Sequence, residues 1–307
     1  MARWRLLASL LGGLLGCGRV LGVEAVTLRD GDPNGDVGAE TTPSRDTGPT
    51  SDTDDDGLAD VADALEACEP GEPIGVVGAT YGATVLADAP LGYWPLDEAP
   101  GADEGADLSG HGHPALVLGT IHFGEAGALA HAANGAARTD GFSYLSVGKS
   151  FDVGPNRSFT VEAWVKPSQL DDRFRFVWGN EKLEPSSKRQ GIELYLRSTE
   201  TNFIRTHNGA PAGNASSGPL VVGVFHHLVV RYDGVRRVSS LLVDGKLASE
   251  NGDFGPSDVT SSAPFTFGAD GALGGSPFEG TLDELAIYDH VLPCARVRAH
   301  LAAAKLP

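Results

Sequence analysis

From about Tyr81 onward, apolar and polar residues alternate in short runs separated by Gly, Asp, Asn and Pro. Ser158–Lys166 is the clearest run. Phe159, Val161, Ala163 and Val165 fall on one face of a period-2 pattern, and Thr160, Glu162, Trp164 and Lys166 on the other. His227–Tyr232 and Ser240–Val243 read as two further strands joined by a loop around Tyr232-Asp233-Gly234, and Asp244-Gly245 then supplies a tight hairpin turn. Ile192–Leu196, Phe265–Gly268 and Leu282–Tyr288 fit the same scheme, and one helix is expected at Ala295–Ala304. Many short strands, with 41 Gly and 19 Pro to turn between them, predict an all-β, two-sheet sandwich.

Before Tyr81 the pattern differs. Arg3 and Arg5 precede an apolar run, Leu6–Leu15, which Gly16 and Cys17 follow. A positive start and about ten apolar residues form the pattern of a secretory signal peptide, whereas a membrane span needs roughly 20. Leu14-Leu15-Gly16-Cys17 resembles the bacterial lipoprotein box. The resemblance implies that residues 1–16 are a cleaved lipoprotein signal and that the Cys17 thiol is acylated. Buried acyl carbons contribute about 0.8 kcal/mol each, so two or three chains hold a protein at a membrane. Gly18, rather than Asp, follows the cysteine. By analogy with enterobacterial sorting, that favours the outer membrane or cell surface.

Charge sharpens the reading of the next segment. The chain carries 23 Lys and Arg against 41 Asp and Glu, a net −18. Between Glu24 and Glu69, fourteen acidic residues face only Arg29 and Arg45, which places −12 of that charge in one stretch. Such a chain repels itself and stays extended, so residues 17–51 are expected as a disordered acidic linker. The same excess repels phosphate and excludes nucleic acid as a partner.

Within this stretch, Asp52, Asp54, Asp56, Asp60 and Asp63 occupy positions 1, 3, 5, 9 and 12 of a calcium-type loop. Gly57 stands at position 6, where such a loop turns, and the Leu58 carbonyl at position 7. Residues 52–69 also resemble bacterial thrombospondin type-3 repeats, whose DxDxDGLxD pattern Asp52–Asp60 matches. That resemblance implies bound Ca2+; the plain alternative is a solvated acidic spacer. Asp30-Gly-Asp32-Pro-Asn34-Gly35-Asp36 repeats the first half of the pattern without an acid at position 12.

Five motifs follow in order: Tyr93-Trp-Pro-Leu-Asp-Glu98, Asp107-Leu-Ser-Gly-His-Gly112, Ser158–Val165, His226–Gly234 with Val243-Asp-Gly-Lys246, and Gly280–Asp289 with Leu292. In this order and spacing, residues 81–305 resemble the laminin-G-like, concanavalin A-like jelly rolls of bacterial surface proteins. The resemblance implies a curved sandwich whose first and last strands pair, and binding of glycans or proteins, often with calcium. It also suggests a Ca2+ held by Asp107, Asp283 and backbone carbonyls. Alternation puts Asp283 on the face of Leu285 and Ile287, where it needs either a cation or backbone N–H donors. Because the terminal strands of such a fold pair, Cys68 and Cys294 are either bridged across the base of the domain or two separate thiols.

Catalytic patterns are sparse. No ExDxE run, GxSxG elbow or HExxH occurs, and strand alternation sends Asp283 and Glu284 to opposite faces. His111-Gly-His113 reads as two loop histidines, and the adjacent His226 and His227 diverge. Glu162 and Trp164 share the face away from the apolar set, where a Trp either stacks on a sugar or packs under a loop. The reading is a non-catalytic, exported, lipid-anchored protein. Its expected partner is a glycan or surface protein, with a structural envelope component as the alternative.

Two predictions follow from the sequence. Replacing Cys17→Ala is expected to abolish acylation and membrane retention. Mass spectrometry of the mature wild-type N-terminus checks this, and an unacylated Cys17 would refute it. Calcium is expected to slow proteolysis near Leu58, and Asp54→Ala with Asp56→Ala to remove that protection. Equal cleavage in calcium and in chelator would count against the loop.

Overall fold

A computed structural model describes residues 80–305, apart from 131–133, 150, 152–153, 184–187, 257 and 272–276. The signal, the linker and the Asp52–Asp63 loop lie outside the described residues, as do Cys17 and Cys68.

A short helix, α1 (Tyr81–Leu86), opens the described chain, followed by β1 (Gly92–Trp94), β2 (Glu104–Gly105), β3 (Ala115–Leu118), β4 (His122–Ala126), β5 (Gly135–Asp140) and β6 (Tyr144–Gly148). The middle of the domain holds β7 (Phe159–Pro167), β8 (Arg175–Gly179), β9 (Lys182–Leu183), β10 (Arg189–Leu196), β11 (Thr201–His207) and β12 (Ala210–Ser217). It ends with β13 (His226–Asp233), β14 (Val238–Val243), β15 (Lys246–Gly252), β16 (Phe265–Phe267), β17 (Glu279–Tyr288) and α2 (Cys294–Ala303). The first sheet runs β15-β14-β13-β7-β17-β5-β4, with β1 also paired to β17. The second runs β12-β11-β10-β8-β16-β6-β3-β2, with β9 on β10. Every named strand pair is antiparallel, and the first strand pairs with the last, Gly92 opposite Ile287.

The core lies between the sheets. Phe159, Val161, Ala163 and Val165 of β7 enter it, as the alternation requires, and meet Ile192, Leu194 and Leu196 of β10 and Phe265 and Phe267 of β16. Aromatic rings fill the centre: Trp178 stacks on Phe265 with centroids 5.7 Å apart, and Trp94 meets Phe267 edge-on at 5.7 Å. Each such buried side chain contributes roughly 1.5–3 kcal/mol over an exposed one. The β14–β15 hairpin closes at Asp244 (φ 53°) and Gly245 (φ 75°), and two successive positive φ angles make the tight turn that Asp-Gly permits.

The outer face of the first sheet is covered by the two helices. Thr80 Oγ1 caps α1 by accepting from Ala83 N, and Tyr81 and Val85 pack with Val297 and Ala303 of α2 over Trp164, Val229, Leu242 and Ala286. Trp164 is therefore packed beneath helices rather than under a loop, its Nε1 donating to Tyr81 Oη at 3.0 Å, and it is not open to stack on a sugar.

Glu162, fully buried beside it, is the hub of a polar network. Oε1 accepts from Tyr81 Oη and from His227 Nε2, both at 2.7 Å, and Oε2 from Tyr288 Oη at 3.0 Å. His300 of α2 donates Nδ1–H to Glu162 Oε2 at 2.9 Å and Nε2–H to Asp88 Oδ2 at 2.7 Å. Arg296 Nε also bonds Asp88, at 2.8 Å. Despite burial, the two flanking carboxylates push His300 up to about 9, and His300 with its neighbours holds Glu162 and Asp88 below the usual carboxylate range.

These shifts fix the pH dependence. A raised His pKa stabilises fully below its unfolded value near 6.5, and that stability is lost as pH rises through about 9. The lowered Glu162 and Asp88 stabilise above about 4, and their contribution is lost as pH falls below it. The contribution of this network is expected to be largest between about pH 5 and 6.5 and to decline toward pH 9 by up to about 3 kcal/mol. His300→Gln should lower the maximum and flatten the alkaline decline. Urea unfolding across that range checks this, and an unchanged slope in the variant would refute it.

Candidate functional site

The two domain acids expected to share a cation sit in different settings. Asp107 organises the loop after β1: Oδ1 accepts from Tyr93 N at 3.1 Å and Ser109 N at 2.8 Å, and Oδ2 from His113 N at 2.9 Å. These donors hold its carboxyl below the usual range, although partial burial works against them. Asp283 is fully buried, and its Oδ2 accepts from Ala128 N at 2.7 Å.

Its face differs from the one that alternation predicts. The pairing of β17 with β7 slips between Asp283 and Ala286, and Glu284 takes φ 50°. This bulge lets Leu285 and Ile287 enter the core while Asp283, opposite Trp164, stays on the helix-covered side. Glu284 is also turned to that side. Its Oε2 accepts from Tyr93 Oη at 2.5 Å and its Oε1 from Asn134 Nδ2 at 3.3 Å. The two acids therefore do not diverge, and burial pushes both carboxyls well up, aided by the charge of Asp97 at Asp283 and by that of Asp283 at Glu284. Among the described residues, no three His, Cys, Asp or Glu side chains enclose an ion-sized point.

The histidines follow the sequence reading. His111 is exposed, and His113 packs edge-on against Phe151 at 5.4 Å. His226 turns outward to Asp244 Oδ2 at 2.8 Å while His227 turns inward to Glu162. Cys294 opens α2 in a buried position, with Arg231 Nη1 3.2 Å from its sulfur.

Among the described residues, partly exposed aromatic and charged side chains gather on the outer face of the second sheet, which sequence reasoning did not single out. Tyr195 of β10 points away from the core that Leu194 and Leu196 enter. Phe174, just before β8, meets it edge-on with centroids 4.8 Å apart and lies parallel to Phe176 at 6.3 Å. Phe174 is 46% exposed, so one ring of this aromatic group faces solvent. Polar groups rim it. Asn202 Nδ2 donates to Tyr195 Oη at 2.8 Å, and the Arg197 guanidinium lies 5.0 Å over the Phe174 ring. Arg197 is also 3.6 Å from Glu200, and Asp171 holds both Arg173 and Arg175, which keep its carboxyl well below the usual range. An exposed ring flanked by fixed donors and acceptors suits a sugar, whose C–H face stacks while its hydroxyls bond at the edge. The signal in the sequence was Phe174-Arg-Phe176 two residues after Asp171-Asp172, but only the β8–β10 pairing brings Tyr195 beside it.

No curated protein matches the chain. Among solved structures it is similar to domain 4 of AbnA, a GH43 extracellular arabinanase from Geobacillus stearothermophilus, in complex with arabinotriose. Identity is 20% and the TM-score 0.51, over 69% of this chain and 98% of that one. It is also similar to the binding domain of Paraclostridial Mosquitocidal Protein 1 (13% identity, TM-score 0.52, 70% and 52% covered) and to the Botulinum neurotoxin serotype G binding domain (11%, 0.52, 69% and 50%). The chain spans about half the length of the latter two. At these identities the likeness shows the fold, which is the two-sheet jelly roll expected from the five motifs. The family model of the Concanavalin A-like lectin/glucanases superfamily matches residues 139–298, from the end of β5 into α2, and the chain belongs to that superfamily.

Proposed function

We propose that the chain is a non-catalytic binding protein of the cell envelope that recognises a glycan through the outer face of its second sheet. The observation that carries this reading is the partly solvent-facing Phe174, supported on Tyr195, with the Arg197 guanidinium over its ring and Glu200 and Asn202 at the Tyr195 hydroxyl. The similar arabinanase domain, solved with arabinotriose, lends it support. Export, a lipid anchor at Cys17 and a calcium-dependent stalk at Asp52–Asp63 belong to the same proposal and rest on the sequence patterns. Among the described residues no helix is long and apolar enough to cross a membrane. A non-catalytic role is supported by Glu162, whose oxygens are engaged by tyrosines and histidines beneath two helices and face no open surface.

A glycan array read in calcium and in chelator tests the proposal. Retention of one glycan class is expected, and Phe174→Ala should weaken it at least tenfold, about 1.4 kcal/mol, with little change in Tm because the ring is half exposed. An array with no retention in either condition would favour a structural envelope component. Retention unaffected by Phe174→Ala would move the site off this face.

A further inference from the structure

The loop between β12 and β13 is apolar where a surface turn is ordinarily polar. Leu220-Val221-Val222-Gly223-Val224-Phe225 carries five large apolar side chains in six positions. Leu220 is buried in the core between the sheets, and Phe225 packs against the cluster beneath the helices, so the loop is pinned at both ends. Between these anchors Val221, Val222 and Val224 are 59%, 47% and 47% exposed. The backbone that presents them is fixed. Gly223 takes φ +79° and donates its N–H to Pro167 O at 2.8 Å, and Val221 N donates to His226 Nε2 at 3.1 Å. A single exposed apolar residue is common on a protein surface, but three within four positions, held outward, make a patch.

Position and charge point to what this patch meets. The loop stands at the end of the domain where α1 starts and α2 finishes. Trp164, opposite His227, bonds Tyr81 of α1 through Nε1, and Leu301 of α2 lies so near the β14–β15 turn that a Cβ on Gly245 would stand 2.8 Å from it. That turn adjoins the loop, since Asp244 Oδ2 is 2.8 Å from His226 Nδ1. Half-buried Leu247 and Leu301 extend the apolar surface. Cations stand beside it: Lys166 Nζ is 4.4 Å from the Phe225 ring centroid, and Lys246, which follows the turn, is exposed. The acid of the turn, Asp244, is engaged by His226 and by the His227 N–H. In a chain of net −18, an apolar tip with lysines at its base is complementary to the boundary of an anionic bilayer, where apolar side chains enter the acyl region and ammonium groups meet phosphates. A sugar is a poorer occupant, because valine offers no π face to stack on. The segment leading into α1 is the one that contains Cys17, so an acyl anchor there tethers the domain by this end.

We propose that the Val221–Val224 tip is a membrane-contact loop, which seats the domain on an anionic bilayer with its valines in the acyl boundary and Lys166 and Lys246 on lipid phosphates. The choice of a bilayer rests on the lipid-anchor reading, and the surface is separate from the Phe174 face. The test uses the chain from residue 17 onward carrying Cys17→Ala, so that neither the apolar leader nor an acyl chain contributes. Vesicles of phosphatidylethanolamine with phosphatidylglycerol are expected to co-sediment the protein. Retention should be weaker on phosphatidylcholine vesicles and should fall as salt rises, because the lysine contacts are screened. Val221→Asp with Val222→Asp should weaken retention about tenfold or more, with little change in Tm because both side chains are largely exposed. Val224→Asp, on the other side of Gly223, should act in the same direction. Lys166→Gln with Lys246→Gln should remove the preference for anionic vesicles, and Phe174→Ala should leave retention unchanged. No retention on either vesicle would overturn the proposal, as would retention that the valine substitutions leave intact or that Phe174→Ala abolishes. A dimer in light scattering that Val221→Asp with Val222→Asp converts to monomer would overturn it too, since a second copy would then be the occupant. Vesicle retention alongside an unacylated Cys17 in the wild-type protein would support the loop and refute the anchor alone.

Discussion

A carboxylate with no exposed surface must be surrounded by donors, and those of Glu162 come from widely separated parts of the chain. Tyr81 reaches it from α1, His227 from β13, Tyr288 from β17 and His300 from α2. Removing any one donor would leave charge in a medium that cannot solvate it. The network therefore selects one placement of the two helices on the first sheet. Apolar contacts among Tyr81, Val85, Val297 and Ala303 would by themselves tolerate sliding. Because β1 pairs with β17 and Asp88 is held by both His300 and Arg296, the beginning and end of the domain are fastened at one place.

That fastening divides the roles of the two sheets. The outer face of the first sheet is spent on holding the helices, and its acids serve as hydrogen-bond acceptors in the interior. Among the described residues the outer face of the second sheet has no helix over it, and its side chains are of another kind: aromatic rings partly in solvent, arginines held by carboxylates, and buried acids gathered round Arg189. The partly exposed rings and the gathered charges thus fall on the same sheet, while the opposite sheet holds the helices.

The bulge at Glu284 shows how one backbone irregularity changes the chemistry of a strand. Period-2 reasoning assumes an unbroken ladder. Where one residue is extra, every assignment beyond it moves to the other face. Here the slip keeps Leu285 and Ile287 in the core and leaves two adjacent carboxylates on one side, where Tyr93, Asn134 and Ala128 supply donors. In an unbroken strand Leu282 and Leu285, three positions apart, would fall on opposite faces, and the bulge is what places both in the core.

The sequence by itself determined the alternating strand β7, the Asp-Gly hairpin, the C-terminal helix and the two-sheet class. Each follows from local periodicity or from the turn chemistry of a few neighbouring residues. It also showed that Glu162 and Trp164 leave the core face, since that needs only alternation. Tertiary structure alone decided what covers them, because the covering residues are about 80 positions earlier and over 130 later in the chain. It likewise decided that Phe174 and Tyr195 form one surface and that Glu181, Glu193 and Asp270 converge on Arg189. Such meetings depend on strand order and register, which are settled by the packing of the whole sandwich and leave no mark in any short window of residues.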